Sequence, residues 1–318
     1  MKRETITPIF GAYPFNQYSP EQRKEFLDLL KKYDVKDIDT AAGYPDSERL
    51  LGELGAAQDF TIHTKARSFM PGTLQRASLL KSGLLSLFEL KTDCIDVFFL
   101  HSPDTETPIE ETLAAVQEFY SAGKFKRFGL SNFLPEQVRE AYDIAKAKGY
   151  VLPSVYQGNY NPVSRRIESS LFPLLHELNM SFYAYSPLAG GFLTKTADAI
   201  TQNIEGGRFD KNNRIGEMYH KLYNKPSLLA ALEKWQHIAE EEGTTQAALA
   251  YRWVTYHSAL KIEHGDGIII GASRPSQLAD TLDALNEGPL SSSAAKAIDE
   301  LWETVKQDAP LDNYNTDA

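Results

Sequence analysis

Residues 6–14 read Ile6-Thr7-Pro8-Ile9-Phe10-Gly11-Ala12-Tyr13-Pro14, a β-rich run that gives way to a turn. In a doubly wound dinucleotide-binding sheet this first turn carries a glycine-rich fingerprint, because the backbone must approach a pyrophosphate there. Gly11-Ala12-Tyr13-Pro14 is not such a fingerprint. The reading therefore moves from an open sheet to a closed one, and the rest of the chain is read against that choice.

Seven further β-rich runs follow, at residues 37–41, 60–66, 94–101, 126–131, 154–160, 181–186 and 267–271. Amphipathic stretches separate them, such as 20–33 with Ser19 in front as a cap, 109–122 and 135–148. Strands alternating with helices predict parallel pairing with right-handed crossovers. Eight such units predict an α/β protein of the (β/α)8 TIM-barrel type, with residues 1–318 as one barrel domain. Residues 190–226 are out of step and rich in Gly, Asn and charge, as in Glu205-Gly206-Gly207-Arg208. They read as a long functional loop on the C-terminal face, where barrel active sites lie. Residues 291–318 read as a last helix, with Leu301 and Trp302 on its apolar side, ending in a polar strip.

Of the 318 residues, 42% are hydrophobic and 24% charged, the balance of an ordinary globular chain. The formal net charge of −10 argues against a nucleic-acid binder or an anionic-membrane binder, both of which need a basic face. Cys94 is the single cysteine, which suits a reducing compartment. The opening MKRETITPIF lacks the apolar core of a signal peptide, and the strongest apolar runs, 97–100 and 267–270, are too short to span a bilayer. The expected location is the cytoplasm, with no membrane and no nucleic acid as partner.

Polar groups gather where the strands end. The second run ends at Asp39, with Tyr44 in the following loop; the third ends at Lys65 and the fourth at His101. The fifth ends at Ser131 and Asn132, the sixth carries Gln157, and the seventh ends at Tyr185 and Ser186. Strand alternation puts His63 and Lys65 on one face, with Lys65 nearer the top. In a dry barrel Asp39 and Lys65 should pair. Tyrosine, with a pKa of about 10, is a weak acid at neutral pH, and a nearby ammonium is expected to lower that value. A Tyr44–Lys65–Asp39 chain thus reads as a phenol tuned for proton transfer, with His101 placed to hold a carbonyl oxygen. Singly, each residue has a structural reading: a surface tyrosine, a core ion pair, a satisfied histidine. Their coincidence on one rim favours chemistry. His63, His101 and Asp39 could in principle ligate zinc, but no strand carries a His-x-His pair and Lys65 brings a cation to the same spot, so no metal is expected. His63 lies deeper and reads as a packed barrel residue.

These residues carry a resemblance. Asp39-Thr40-Ala41-Ala42-Gly43-Tyr44-Pro45-Asp46-Ser47-Glu48 is similar to the aldo-keto reductase signature around the catalytic tyrosine. Further blocks agree in order and spacing: Lys65, Phe99-Leu100-His101-Ser102-Pro103, Gly129-Leu130-Ser131-Asn132, Gln157-Gly158-Asn159-Tyr160-Asn161, and residues 185–191. The likeness covers about residues 5 to 310. It is nearest the aflatoxin-aldehyde reductase branch, on Arg166-Ile167-Glu168, Gly207-Arg208-Phe209, residues 248–253 and His264-Gly265-Asp266.

The resemblance implies NADPH/NADP+ as cofactor and a small-molecule carbonyl substrate. It implies Tyr44 as general acid, Lys65 and Asp39 as its tuning pair, and His101 as the carbonyl-orienting group. Ser131, Asn132 and Gln157 would hold the nicotinamide carboxamide, and Tyr185 would stack on the ring. Ser186, Leu188 and Gly190 would begin the pyrophosphate loop, with Arg208 over the cofactor. Residues 273–281, through Ser273, Arg274, Gln277 and Thr281, would bind the adenosine phosphate end. Dimers occur among similar proteins, so a homodimer is allowed.

Two departures stand out. Asp280-Thr281 replaces the Gln-Asn or Glu-Asn pair that touches adenine in relatives. The tail Asn313-Tyr314-Asn315-Thr316-Asp317-Ala318 lacks the arginine that some relatives turn toward acidic aldehydes. The rival reading is a cofactor-binding regulatory barrel with little turnover, similar to channel-associated relatives; a degenerate set of rim residues would favour it, and the set here is complete.

Overall fold

The structure is a computed structural model, described for residues 5–202 and 207–315. Eight parallel strands pair in chain order and close, β1 to β8. They are β1 Thr7–Gly11, β2 Asp37–Asp39, β3 Thr61–Lys65, β4 Ile95–Leu100, β5 Phe125–Ser131, β6 Pro153–Asn159, β7 Ser181–Tyr185 and β8 Gly267–Ile270. All eight coincide with the β-rich runs of the sequence, shifted by a residue or two at the ends. Closure is made by β1 on β8, with Ile9 opposite Ile269.

Alternation along the strands builds two cores. Ile9, Val97, Phe99, Val155, Tyr183 and Ile269 fill the barrel interior. Phe10, Ile38, Phe98, Leu100, Leu130 and Ile270 belong to the larger core shared with the surrounding helices. A Cβ at Gly129 would lie 2.2 Å from the Phe99 ring, so glycine in β5 is what lets that ring occupy the interior. Low in the barrel His63 is buried, 3.2 Å from Asp37 and 3.6 Å from Asp96. Asp96 also takes the Arg127 guanidinium at 2.5 Å. His63 is thus a packed interior residue, away from the rim.

The shell helices begin where the sequence places caps. Ser19 and Gln22 close a capping box on the helix Pro20–Lys32, satisfying two otherwise unpaired backbone N–H groups. The helices Arg76–Leu90, Ile109–Ser121 and Pro135–Lys148 follow β3, β4 and β5. The interval 190–226, read as loop, carries more order than its composition suggests. It holds short helices at Ala197–Thr201 and Arg214–Tyr223, the latter capped by Asn213. Tyr219, Leu222 and Tyr223 form its buried stripe, packed with Phe192 and Phe209. The Gly and Asn content hides that stripe. Glu205 and Gly206 lie outside the described residues. The helix Ser292–Val305 follows, and residues 310–315 cross the top of the barrel. Among the described residues no helix is long and apolar enough to cross a membrane.

Candidate active site

β2 and β3 set the centre. Asp39 pairs in register with His63, so Lys65 at the end of β3 lies two residues beyond the end of β2. Lys65, fully buried, donates to Asp39 Oδ2 at 2.5 Å and to the Thr40 carbonyl at 2.8 Å. A buried ammonium without such partners would be strongly disfavoured. Burial, the largest single influence, lowers the Lys65 pKa; Asp39 and Tyr44 together outweigh it and the net direction is up. The Lys65 ammonium lies 5.2 Å from the Tyr44 ring centre and 5.8 Å from that of Phe99, which supports it from within the barrel.

The loop that presents Tyr44 is pinned at both ends. Tyr44 N–H donates to the Ala41 carbonyl, while the Thr40 hydroxyl donates to Ser47 and Ser47 to the Ala12 carbonyl. Tyr13, in the turn that decided the fold, packs its ring 5.0 Å from that of Tyr44. Burial is the largest influence on Tyr44 and raises its pKa; the Lys65 charge pulls it down and Asp39 pushes it up. The net direction is upward. The expected lowering by Lys65 is present but outweighed, because the loop closes more apolar surface over the phenol than the sequence discloses.

His101 ends β4 with its ring 5.7 Å from Tyr44. Burial first, then the Lys65 charge, hold its pKa well below the ordinary 6.5, so the imidazole is neutral. Its Nδ1 is buried without a hydrogen-bond partner, a polar atom left for something that enters the site.

The neighbouring rim residues converge as well. Asn132, at φ +61°, donates to the His101 carbonyl at 2.8 Å and accepts from the Tyr185 hydroxyl at 2.8 Å. Gln157 donates to Asp39 Oδ1 at 2.8 Å. Ser131 is buried beside Asn132.

Beyond β7 the backbone turns left-handed at Ser186, Ala189, Gly190 and Gly191, and Leu188 is half-buried. Open space surrounds the Cβ positions of Gly191 and Gly271. Arg208 reaches in from the long interval; its guanidinium donates to the Tyr219 hydroxyl at 2.7 Å and lies 5.5 Å from the Tyr13 ring centre. After β8, Ser273 and Arg274 are exposed at the start of the helix Pro275–Asn286, and Gln277 accepts from the Ser273 backbone and hydroxyl. Positive side chains, a helix start and open glycine positions fit a phosphorylated dinucleotide. Thr281 does not share that exposure; it is buried, and its side chain bonds to Tyr251.

Three members of the mouth carry no local signal that places them there. Phe69, at φ +66°, sets its ring 4.6 Å from His101 and 5.8 Å from Tyr314. Its loop is held by Asp104, which accepts from Gly72 and Leu74 N–H. The tail docks across the same mouth, with Asn315 donating to the Asn132 carbonyl and Tyr314 to that of Pro103. Tyr13 is the third.

A closed barrel with a Tyr–Lys–Asp chain and a neutral histidine at its C-terminal rim is the architecture of a carbonyl oxidoreductase. Residues 9–303 match the family model described as Aldo/keto reductase family. Oxidoreductase sirO of Leptosphaeria maculans is 40% identical, covering 93% of this chain and 90% of its own length. Aflatoxin B1 aldehyde reductase member 2 of Homo sapiens is 38% identical over 87% of this chain and 80% of its own. Aldo-keto reductase family 7 member A3 of Homo sapiens is 37% identical over 87% of each. The chain belongs to the aldo/keto reductase family.

Proposed function

We propose that this protein reduces an aldehyde or ketone to the alcohol using NADPH, with Tyr44 as the proton donor. The observation that carries the reading is the buried Asp39–Lys65 pair beneath the Tyr44 ring. When bound, NADPH supplies the hydride that adds to the carbonyl carbon. As charge develops on the carbonyl oxygen, Tyr44 releases its proton to it. A phenol pushed upward by burial stays protonated until that moment, and an alkoxide is basic enough to take its proton. The Lys65 ammonium stabilises the phenolate left behind, and Asp39 holds Lys65 in place. Neutral His101 carries one ring N–H with which to orient the carbonyl oxygen.

Ser131, Asn132, Gln157 and Tyr185 are the residues to hold the nicotinamide end. Ser186, Leu188, Gly190 and Arg208 suit the pyrophosphate, and Ser273, Arg274 and Gln277 the adenosine phosphate. Thr281 could contribute there only after leaving Tyr251. The test follows NADPH absorbance against a panel of uncharged aldehydes and ketones, with Tyr44→Phe beside the parent chain. Turnover by the parent and a loss of about 10²- to 10⁴-fold in the variant's kcat, with NADPH binding retained, is the expected result. Undiminished turnover by Tyr44→Phe refutes its assignment.

A further inference from the structure

The segment between β8 and the helix Pro275–Asn286 is held by two tyrosines that belong to neither element. Tyr18, just ahead of the helix Pro20–Lys32, donates its hydroxyl proton to the Ala272 carbonyl at 2.6 Å. Tyr251, in the helix Gln246–Tyr256, donates to the Gly271 carbonyl at 3.3 Å. Both side chains are buried. The Tyr18 ring is wedged against Phe15 and Phe26, its centre 6.0 and 4.8 Å from theirs. The Thr281 side chain bonds to Tyr251, so Thr281, Tyr251 and Gly271 form one chain. Burial pushes both phenols up to about 12, so at neutral pH each carries the proton that its carbonyl accepts.

These bonds fix the orientation of two successive peptide units. A trans peptide is planar, with its C=O and N–H on opposite edges. The Gly271 carbonyl is turned onto buried Tyr251, so the Ala272 N–H points the other way. The Ala272 carbonyl is turned onto Tyr18, so the Ser273 N–H also points away, and there Gln277 Oε1 accepts it at 3.0 Å. The Ala272 N–H makes no hydrogen bond among the described residues. The Cβ position of Gly271 beside it is open, and Arg274 follows, exposed.

We propose that Tyr18 and Tyr251 are positioning residues for cofactor discrimination: they hold the backbone from Gly271 to Arg274 in the shape that receives the 2′-phosphate of NADPH, with the Ala272 N–H left as a donor beside Arg274. The inference rests on the reading of Ser273, Arg274 and Gln277 as the adenosine-phosphate seat. Each tyrosine acts through the carbonyl it holds, not by contact with the cofactor. Gly271 has no side chain to anchor it and is the freest point of the segment. A segment not already held would have to be ordered when the cofactor arrives, and that ordering would subtract from the binding free energy. Thr281 takes part through Tyr251.

The test measures dissociation constants for NADPH and NADH by fluorescence quenching in the parent chain, Tyr18→Phe, Tyr251→Phe, Thr281→Val and Arg274→Ala. Each Tyr→Phe change keeps the ring in the core and removes one hydrogen bond, worth about two- to ten-fold in an equilibrium constant. NADPH should therefore bind each tyrosine variant about two- to ten-fold more weakly. NADH, which has no 2′-phosphate, should bind them as it binds the parent, and that retained affinity shows that the variants are folded. Thr281→Val, which leaves Tyr251 in place without its donor, should move NADPH in the same direction by less. A tyrosine that only supports the fold would weaken both cofactors equally, or lower the melting temperature and change neither constant; either result overturns the proposal. Arg274→Ala separates the proposal from the reading beneath it. If that variant alone loses NADPH, the phosphate seat stands and the positioning role falls. If it and the tyrosine variants all spare NADPH, both fall.

Discussion

Gln157 on β6 donates a 2.8 Å hydrogen bond to Asp39 on β2, across the full width of the barrel. Asp39 thereby has one oxygen on Lys65 and the other on a residue that also suits the nicotinamide amide. Gln157→Leu keeps the volume and leaves Asp39 Oδ1 without a donor in a dry site. An unsatisfied buried acceptor costs about 1–3 kcal/mol, so thermal unfolding of the cofactor-free protein should move down by roughly 2–10 °C. Gln157→Glu should be worse, because a second carboxylate faces Asp39. An unchanged midpoint in Gln157→Leu would show that the bond carries no stability.

Much of this arrangement was legible in the sequence, for physical reasons. Strand endings repeat at the same level in a parallel barrel, so Asp39, Lys65, His101 and Asn132 declare a rim through order alone. The turn at Gly11 sufficed to turn the reading away from the open sheet. What stayed hidden depends on approach between distant segments. Gln157 and Asp39 are 118 positions apart, and no local pattern links them. Phe69 adopts φ +66° in a loop fixed by Asp104, and nothing in Ser68-Phe69-Met70 announces it. The direction of the Tyr44 pKa was likewise invisible, since it turns on how much surface covers the phenol. The helix Arg214–Tyr223 was missed because the glycines and asparagines before it dominate the composition.

The neutral state of His101 has a consequence for pH. Burial, then Lys65, hold its folded pKa well below 6.5. The unfolded chain takes up a proton near 6.5 that the folded chain refuses. Below that point the unfolded state is favoured, so His101 removes stability as pH falls, by about 1.4 kcal/mol per pH unit until its folded pKa is reached. Urea unfolding at pH 7.5 and 5.5 should therefore show a smaller acid loss for His101→Gln than for the parent, by about 1 kcal/mol. Parallel losses in the two proteins would mean that His101 titrates normally. Its charge should also place no acid limb near pH 6.5 in the rate profile.

The mouth is aromatic where it borders His101. Phe69 is 52% exposed there, and Tyr314 lies behind it. The tail brings Asn313, Tyr314 and Asn315 to this wall and no cation. An uncharged aromatic aldehyde should accordingly outperform succinic semialdehyde in kcat/KM, since the carboxylate finds no bidentate partner in the tail. Phe69→Ala should raise KM for the aromatic substrate about two- to ten-fold through the lost ring contact. Arg214 heads a neighbouring helix, so a clear preference for the carboxylate, abolished by Arg214→Ala, would reverse this reading of the pocket.

On the proposed reading, cofactor choice turns on the segment after β8. Arg274 is the N-cap of the helix Pro275–Asn286 and makes no side-chain cap bond. Pro275 has no N–H and the Gln277 N–H bonds the Arg274 carbonyl, so in the first turn it is the Ser276 N–H, with the positive dipole end, that faces an anion. The Arg274 guanidinium is exposed, with a single 3.1 Å bond from Nε to the Ser276 hydroxyl, and its outer nitrogens can meet two phosphate oxygens. Ser273 already has its hydroxyl on Gln277, so it can take a phosphate only by exchanging that partner. Asp280, the nearest acid along the helix, lies one turn from Ser276 and also raises the Tyr33 pKa, whose hydroxyl bonds Asp283. A charge-assisted contact to phosphate contributes about 1.5–3 kcal/mol, so Arg274→Ala should weaken NADPH binding roughly ten- to a hundred-fold. NADH, without the 2′-phosphate, should bind the parent and the variant alike. Fluorescence quenching gives both dissociation constants. Equal losses for the two cofactors would assign Arg274 to the fold, and no loss for either would move the phosphate seat elsewhere on the rim.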